Sequence, residues 1–335
     1  MEFGQIQPVA LREIWPGEAT HFTPWLAENL SIISEKLGMD LDLETIEGSA
    51  GDFSADIIAR DLSTSRLVVI ENQFGNTDHR HLGQIITYSS VLGAGVVVWI
   101  AETIRAEHKS AIDFLNQNLK EGLQLYAIEV SVIRIDNSKP AYVFNTICAP
   151  SEAQVSVADV AKGGSDTAQK YKAYFQGLID ELRTVHKFTN AKAGQPQSWY
   201  DFASENSKVY KYSTSFAQRG RVRAEVYIDC GDKVRNEALF DILYSQKDAI
   251  QAEFGSGELI WERLDKKRSC RVAVYRDGDI DVDSEVLAGI MKWAIENLLR
   301  FKATFPRRFT AALAAVTAHA QINSEESSSP PLLAQ

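Results

Sequence analysis

The sequence predicts an α/β domain built on a mixed sheet, followed by a second α+β domain, and three observations carry that reading. In the first half the hydrophobic period switches in the order helix, strands, helix, buried strand, helix, strands. A small, polar stretch containing Gly163-Gly164 interrupts the chain near its middle. Beyond it the pattern restarts, with a strictly alternating strand, RVRAEVYID, between long amphipathic helices. A length of 335 residues favours two domains, with one large domain as the alternative.

Residues 20–38 repeat Trp25, Leu26, Leu30, Ile33 and Leu37 at helical spacing, with Thr23-Pro24 at the start and Gly38 past the end. Residues 41–47 alternate as a strand. The apolar runs 53–61 and 66–74, separated by Leu62-Ser63-Thr64-Ser65, read as a hairpin. Asp78 suits the N-cap of a helix from His79 to Leu92. GVVVWIA is continuously apolar, as a strand buried on both faces must be, and a helix over 106–120 stops at Gly122. LQLYAIEVSVIRI and AYVFNTI complete the first domain, expected at 1–150. A linker at 151–166 leads to the second domain, 167–322. That domain is expected to hold helices over 167–188, 236–254 and 284–302 and strands over 209–217, 220–230, ELIWERLD and CRVAVYR. The tail, 323–335, has the composition of a disordered segment.

An apolar content of 45% excludes wholesale disorder. Cys148, Cys230 and Cys270 are far apart, which argues against a zinc ribbon or a disulfide framework and fits a reducing compartment. The N-terminus lacks a signal pattern and no run approaches the roughly 20 apolar residues of a membrane span, so a cytoplasmic protein without a membrane partner is expected. Residues 1–150 hold ten Lys and Arg against twenty Asp and Glu, whereas 151–335 hold twenty-five of each. The whole net charge of −10 thus belongs to the first half, which counts against non-specific nucleic-acid binding.

Carboxylates inside apolar strands are costly unless something compensates them. One hairpin carries two: Asp56 in SADIIA and Glu71 in VVIENQ. Facing strands bring such side chains to one point, and Gln73 shares the face of Glu71. Two carboxylates with carbonyls and waters form the oxygen shell preferred by Mg²⁺, with Mn²⁺ as the alternative ion. Such an ion polarises a phosphodiester and lowers the pKa of an attacking water. The bland alternative is that Asp56 ends its strand and Glu71 lies on a solvent-facing edge. Asp78-His79-Arg80-His81 reads as a capped, polar helix start whose two histidines diverge, rather than a metal pair.

Asp56, Glu71-x-Gln73 and Gln84-Ile-Ile-Thr-Tyr88, in that order, resemble the PD-(D/E)XK nuclease superfamily in its RecB-like QxxxY form, over roughly residues 20–120. The resemblance implies a restriction-endonuclease-like mixed sheet flanked by helices, and Mg²⁺-dependent hydrolysis of DNA. It implies Asp56 and Glu71 as metal ligands, Gln84 and Tyr88 as residues that shape the site, and Glu28 as an extra helical acid, with Glu18 competing. The sequence departs from the pattern at Gln73, where the superfamily usually has lysine; a neutral amide there would orient the water by donating and accepting hydrogen bonds. Glutamine occurs at this position in some active members. Both an active nuclease and an inactive nuclease-fold protein that binds nucleic acid or a protein partner therefore stay open.

In the second half Arg221 and Arg223 share a strand face with Glu225, and Lys267 and Arg268 form a second basic group. Interleaved with Trp199, Tyr200, Tyr210, Tyr212 and Trp261, they would suit phosphate contact and base stacking. The equal alternative is a solvated sheet face over core aromatics. Roughly residues 170–310 resemble an uncharacterised prokaryotic domain family often fused behind nuclease-like domains. That implies a role in bacterial genome defence or repair, DNA as the partner and a homodimer as an open arrangement.

Overall fold

The computed structural model describes residues 3–50, 53–118, 123–150, 166–217 and 220–327. The expected linker at 151–166 lies outside them except for Asp166, which opens a helix. The chain divides into two compact units, 1–179 with 189–196, and 180–188 with 197–335.

The first unit begins with β1 (Ile6–Val9) and α1 (Leu11–Ile14), then a π-helical turn over Glu18–Phe22, α2 (Thr23–Glu28) and α3 (Ser31–Leu37). There follow β2 (Leu41–Ala50), β3 (Phe53–Asp61), β4 (Leu67–Asn76), α4 (His79–Leu92), β5 (Val96–Thr103), α5 (Ala106–Asn118), β6 (Gln124–Ile135) and β7 (Ala141–Cys148). The sheet runs β1-β6-β5-β4-β3-β2, with β7 also on β6. The β4–β5 and β5–β6 pairs are parallel and the others antiparallel, so the sheet is mixed as expected. Val96 to Ala101 are each 0% exposed, the reason β5 reads as one apolar run. One sheet face packs Ile57, Ile70, Val98 and Ile128 with Leu26 and Ile33 of the first helices; the other packs Val69, Val97 and Trp99 with Ile85, Tyr88 and Ile112 of α4 and α5.

The single helix expected over 20–38 is broken. Asn29 turns its side-chain amide back to the Trp25 carbonyl at 2.8 Å, and such back-bonding competes with helix continuation. α3 then ends on Gly38 at φ +68°, a left-handed cap that suits glycine. β1 escapes a sequence reading because it contains Pro8, yet it lies at the sheet edge, where a missing N–H is tolerated. The hairpin turn is held by Asp61, whose buried carboxylate accepts from the Ser63 amide at 3.1 Å and from the Ser63 and Thr64 hydroxyls. The later segment 189–196 belongs to this unit through Asp40, which accepts from the Asn190 amide at 2.9 Å and from the Thr189 hydroxyl.

α6 (Asp166–Thr184) counts with the second unit from Asp180 onward. The second unit continues with β8 (Trp199–Phe202), β9 (Tyr210–Ala217), β10 (Arg221–Ile228), α7 (Lys233–Tyr244), α8 (Lys247–Phe254), β11 (Ile260–Glu262), β12 (Cys270–Asp277), α9 (Ser284–Thr304) and α10 (Pro306–Ser327). Its antiparallel sheet runs β11-β12-β10-β9-β8. Val222, Ala224, Val226 and Ile228 form the fully buried face of β10, and α9 packs on that strand. The helix expected over 236–254 divides where Ser245 Oγ donates to the Ile242 carbonyl at 2.7 Å. α10 continues to Ser327, past the start of the expected tail, because an alanine-rich run of good helix formers carries it; 328–335 lie outside the described residues. Cys270 is buried as core, whereas Cys230 is only partly so.

Candidate active site

Two strands cease to pair where the acids stand. The β3–β4 ladder ends at Ile57↔Ile70, and the next N–H on β4, that of Asn72, is taken by Asp56 Oδ2 at 2.8 Å. The same oxygen accepts from Asn72 Nδ2 at 2.7 Å, and Asn72 Oδ1 accepts in turn from the buried Thr23 hydroxyl at 3.2 Å. In return the backbone of Asp56 donates to Glu71. The two acids are thus interlocked across the hairpin. Glu71 is 4% exposed and Asp56 half-buried, so neither lies on a solvent-facing edge.

Burial raises the Asp56 carboxyl above its usual 3.8; the Asn72 amide opposes this, while Glu47 and Glu18 add to it. Glu71 is likewise raised above 4.5, by burial first and then by the charge of Asp56, with Glu18 and Glu47 contributing. Glu71 Oε2 is buried with no hydrogen-bond partner. A buried, unpartnered oxygen beside other carboxylates carries a desolvation cost that a cation would remove. Among the described residues no group of three or more His, Cys, Asp or Glu side chains converges closely enough to hold a metal. Mg²⁺ needs no such cage, since it keeps several waters and binds through one or two carboxylates plus substrate phosphate. Asp56 and Glu71 fit that donor set.

Glu18, in the π-turn, approaches from another element: its carboxylate accepts from the Phe74 amide, and burial raises its pKa against the pull of that bond, His81 and Arg12. Glu28 stands exposed at the end of α2, and Glu18 is the acid brought to Asp56 and Glu71. Glu47 is an acid that sequence reasoning missed. It holds a left-handed φ of +54° beyond the register shift of β2 between Leu43 and Thr45, an irregularity with no sequence signature.

Gln73 is 5% exposed, with both ends of its amide engaged. Nε2 donates to the Asn76 carbonyl at 2.8 Å, and Oε1 accepts from Trp99 Nε1 at 2.9 Å. Just beyond, Gly75 takes φ +83° where β4 shifts register against β5, and its N–H donates to Glu102 at 2.9 Å. Gln84 and Tyr88 share one face of α4, with Gln84 Nε2 donating to the Tyr88 hydroxyl at 3.0 Å and Gln84 Oε1 buried without a partner. The Tyr88 phenol is raised by burial and then by Glu71, with a smaller contribution from Asp56, which puts it within the field of both acids. At the start of α4, Asp78 caps the His81 amide at 2.9 Å and also bonds His81 Nδ1, while His79 Nδ1 meets His108 Nε2 at 2.8 Å. The two histidines diverge as their spacing requires.

The basic residues of the second unit are engaged differently. Arg223 pairs with the buried Glu225 at 3.0 Å, and Arg271 with Glu225 at 3.2 Å and Glu262 at 3.0 Å. Arg268 grips Asp229 through two bonds of 2.8 and 2.7 Å. Arg221 is exposed and lies 4.6 Å from the centre of the Tyr275 ring; Lys267 is exposed on the turn before β12. Tyr200, Tyr210 and Tyr212 are core residues, stitched in part by Glu205, which accepts from Tyr210 and Tyr212 at 2.9 and 2.8 Å.

A family model described as a domain of unknown function (DUF4268) matches residues 170–308. No curated protein matches the chain. Among solved structures, a repair endonuclease from Pyrococcus abyssi is similar at 18% identity and a TM-score of 0.26, over 32% of this chain and 45% of that one. SfsA from Pyrococcus furiosus, solved in complex with Ca²⁺, is similar at 12% identity and a TM-score of 0.24, over 36% of this chain and 58% of that one. The chain thus spans about half the length of each. Among the described residues no helix is long and apolar enough to cross a membrane.

Proposed function

We propose that the first unit is a Mg²⁺-dependent nuclease that hydrolyses DNA phosphodiester bonds. The observation that carries the reading is the interlocked pair Asp56 and Glu71, both raised in pKa by burial and by neighbouring carboxylates, with Glu71 Oε2 left unpartnered. Perturbed acids gathered without a compensating cation mark a site built for chemistry rather than for stability. Asp56 and Glu71 would hold the ion, which when bound supplies charge stabilisation to the phosphoryl oxygens and an acidified water. Glu71, with an acceptor oxygen to spare, takes the hydrogen bond of the attacking water. Glu18, fixed by the Phe74 amide, adds an acceptor on the helical side. Tyr88 and Gln84 brace one wall through their mutual hydrogen bond. The second amide hydrogen of Gln73, beyond its bond to Asn76, is the group that would orient the water.

The test is Mg²⁺- or Mn²⁺-dependent cleavage of plasmid and single-stranded DNA by the wild type and by Asp56→Asn. A loss on the order of 10²–10⁴-fold is expected in the variant, and equal cleavage by both proteins rejects the assignment. One observation favours a second reading, an inactive nuclease-fold protein that binds nucleic acid or a protein partner: the amide that replaces the usual lysine is tied to Trp99 and Asn76. That reading expects DNA binding without cleavage under any divalent metal.

A further inference from the structure

Two guanidinium groups, those of Arg12 and Arg80, border the acid cluster, and neither forms an ion pair among the described residues. Arg12 lies on α1 with its guanidinium carbon 5.3 Å from the centre of the Phe74 ring. Phe74 is the residue whose N–H is taken by Glu18, and the Arg12 charge acts on that Glu18 carboxylate. Arg80 lies in the first turn of α4, four residues before Gln84, which bonds Tyr88 at 3.0 Å. Residues four apart share a helix face. The Tyr88 phenol lies within the field of Glu71, of Asp56 and of Arg80. Both arginines are exposed. Arg60, His81, Arg105 and Lys109 of this unit stand in ion pairs with acids of their own surroundings.

Four carboxylates gather here, Glu18 and Glu47 each acting on both Asp56 and Glu71. A polyanion approaching them is repelled, and one divalent ion offsets only half of that charge. The strand position where a lysine would help holds a neutral, already bonded glutamine. Arginine is suited to the missing role, because its planar fork grips phosphate through paired bonds and stays charged. The N-terminal end of α4 adds positive potential beside Arg80.

We propose that Arg12 and Arg80 are the phosphate-binding residues of this site, gripping the backbone of bound DNA at two points beside the carboxylates. The proposal rests on the nuclease reading above. It is tested by fluorescence anisotropy of a short labelled DNA duplex with Ca²⁺ as the divalent ion, over a salt series, for the wild type, Arg12→Gln, Arg80→Gln and the double variant. Each single change is expected to weaken binding roughly tenfold and to lower the slope of log affinity against log salt by about 1, and the double variant by about 2. Arg12→Lys and Arg80→Lys should restore the slope, which separates lost charge from lost packing on Phe74. Calorimetric Ca²⁺ binding should be equal in all variants. Wild-type binding of metal and DNA with unchanged affinity and slope in both glutamine variants overturns this proposal and leaves the nuclease reading standing. A wild type that binds neither metal nor DNA overturns both.

Discussion

The two units each bury a carboxylate within a sheet and treat it in opposite ways. Glu225 in the second unit is 2% exposed and flanked by Arg223 and Arg271, the latter shared with Glu262. Burial still raises its pKa, but two guanidinium groups pull against that rise. Glu71 in the first unit is 4% exposed, and its neighbours in the field are three more carboxylates. A buried charge that the fold itself neutralises belongs to the architecture. One that the fold leaves with like-charged neighbours is strained until a ligand arrives, and such strain collects at functional sites. Of the four basic residues read from sequence as a nucleic-acid surface, Arg223 is taken up by this internal neutralisation, Arg268 is exposed but paired with Asp229, and Arg221 and Lys267 are exposed.

The contrast breaks most clearly under charge removal. Glu225→Ala leaves two guanidinium groups without their buried partner and is expected to cost about 3–5 kcal/mol, measured by denaturant unfolding. Glu71→Gln removes a repulsive charge, so the metal-free protein should be at least as stable as the wild type. A destabilised Glu71→Gln would make both clusters structural and erase the distinction.

Metal and pH sharpen it next. With Asp56 and Glu71 raised, the native state keeps protons that the unfolded chain releases above the usual 3.8 and 4.5. The associated stability is full below those values and is lost as pH rises through the native ones. Metal-free protein should therefore lose stability from acid toward neutral pH, and Mg²⁺ should restore it increasingly as pH rises. Saturation a hundredfold above Kd corresponds to about 2.7 kcal/mol, readable as a shift in thermal midpoint that is absent in Asp56→Asn. A Mg²⁺ effect that is the same at both ends of the pH range would contradict the site.

The smallest effect concerns Gln73. Trp99→Phe removes the donor to Gln73 Oε1 and should cost about 1 kcal/mol. If the bond also keeps Gln73 from serving the water, cleavage rises in this variant; unchanged cleavage with lower stability assigns Trp99 a purely structural part.

The hairpin acids were legible in the sequence because β3 and β4 are joined by a short turn, so a register such as Ile57↔Ile70 follows from local chemistry. The alternation of β10 was legible for the same reason: a two-residue period is set by the backbone and needs no partner. What those faces meet was not legible. Glu18 reaches Phe74 across 56 residues, and Arg271 reaches Glu225 across 46. Helix periodicity likewise predicted one helix where Asn29 makes two, because the competing bond is a single side chain's choice.

By itself, then, the sequence determined the mixed sheet, the hairpin that brings Asp56 to Glu71, and the helix that presents Gln84 with Tyr88. All of these rest on short-range periodicity and turn chemistry. Only the tertiary structure decided that Glu18 rather than Glu28 joins the acids, that Gln73 is bound to Trp99, and that Arg223 and Arg271 are taken up by the buried Glu225. Those outcomes depend on which distant charges share a buried space, and chain spacing does not encode that until the sheets have closed.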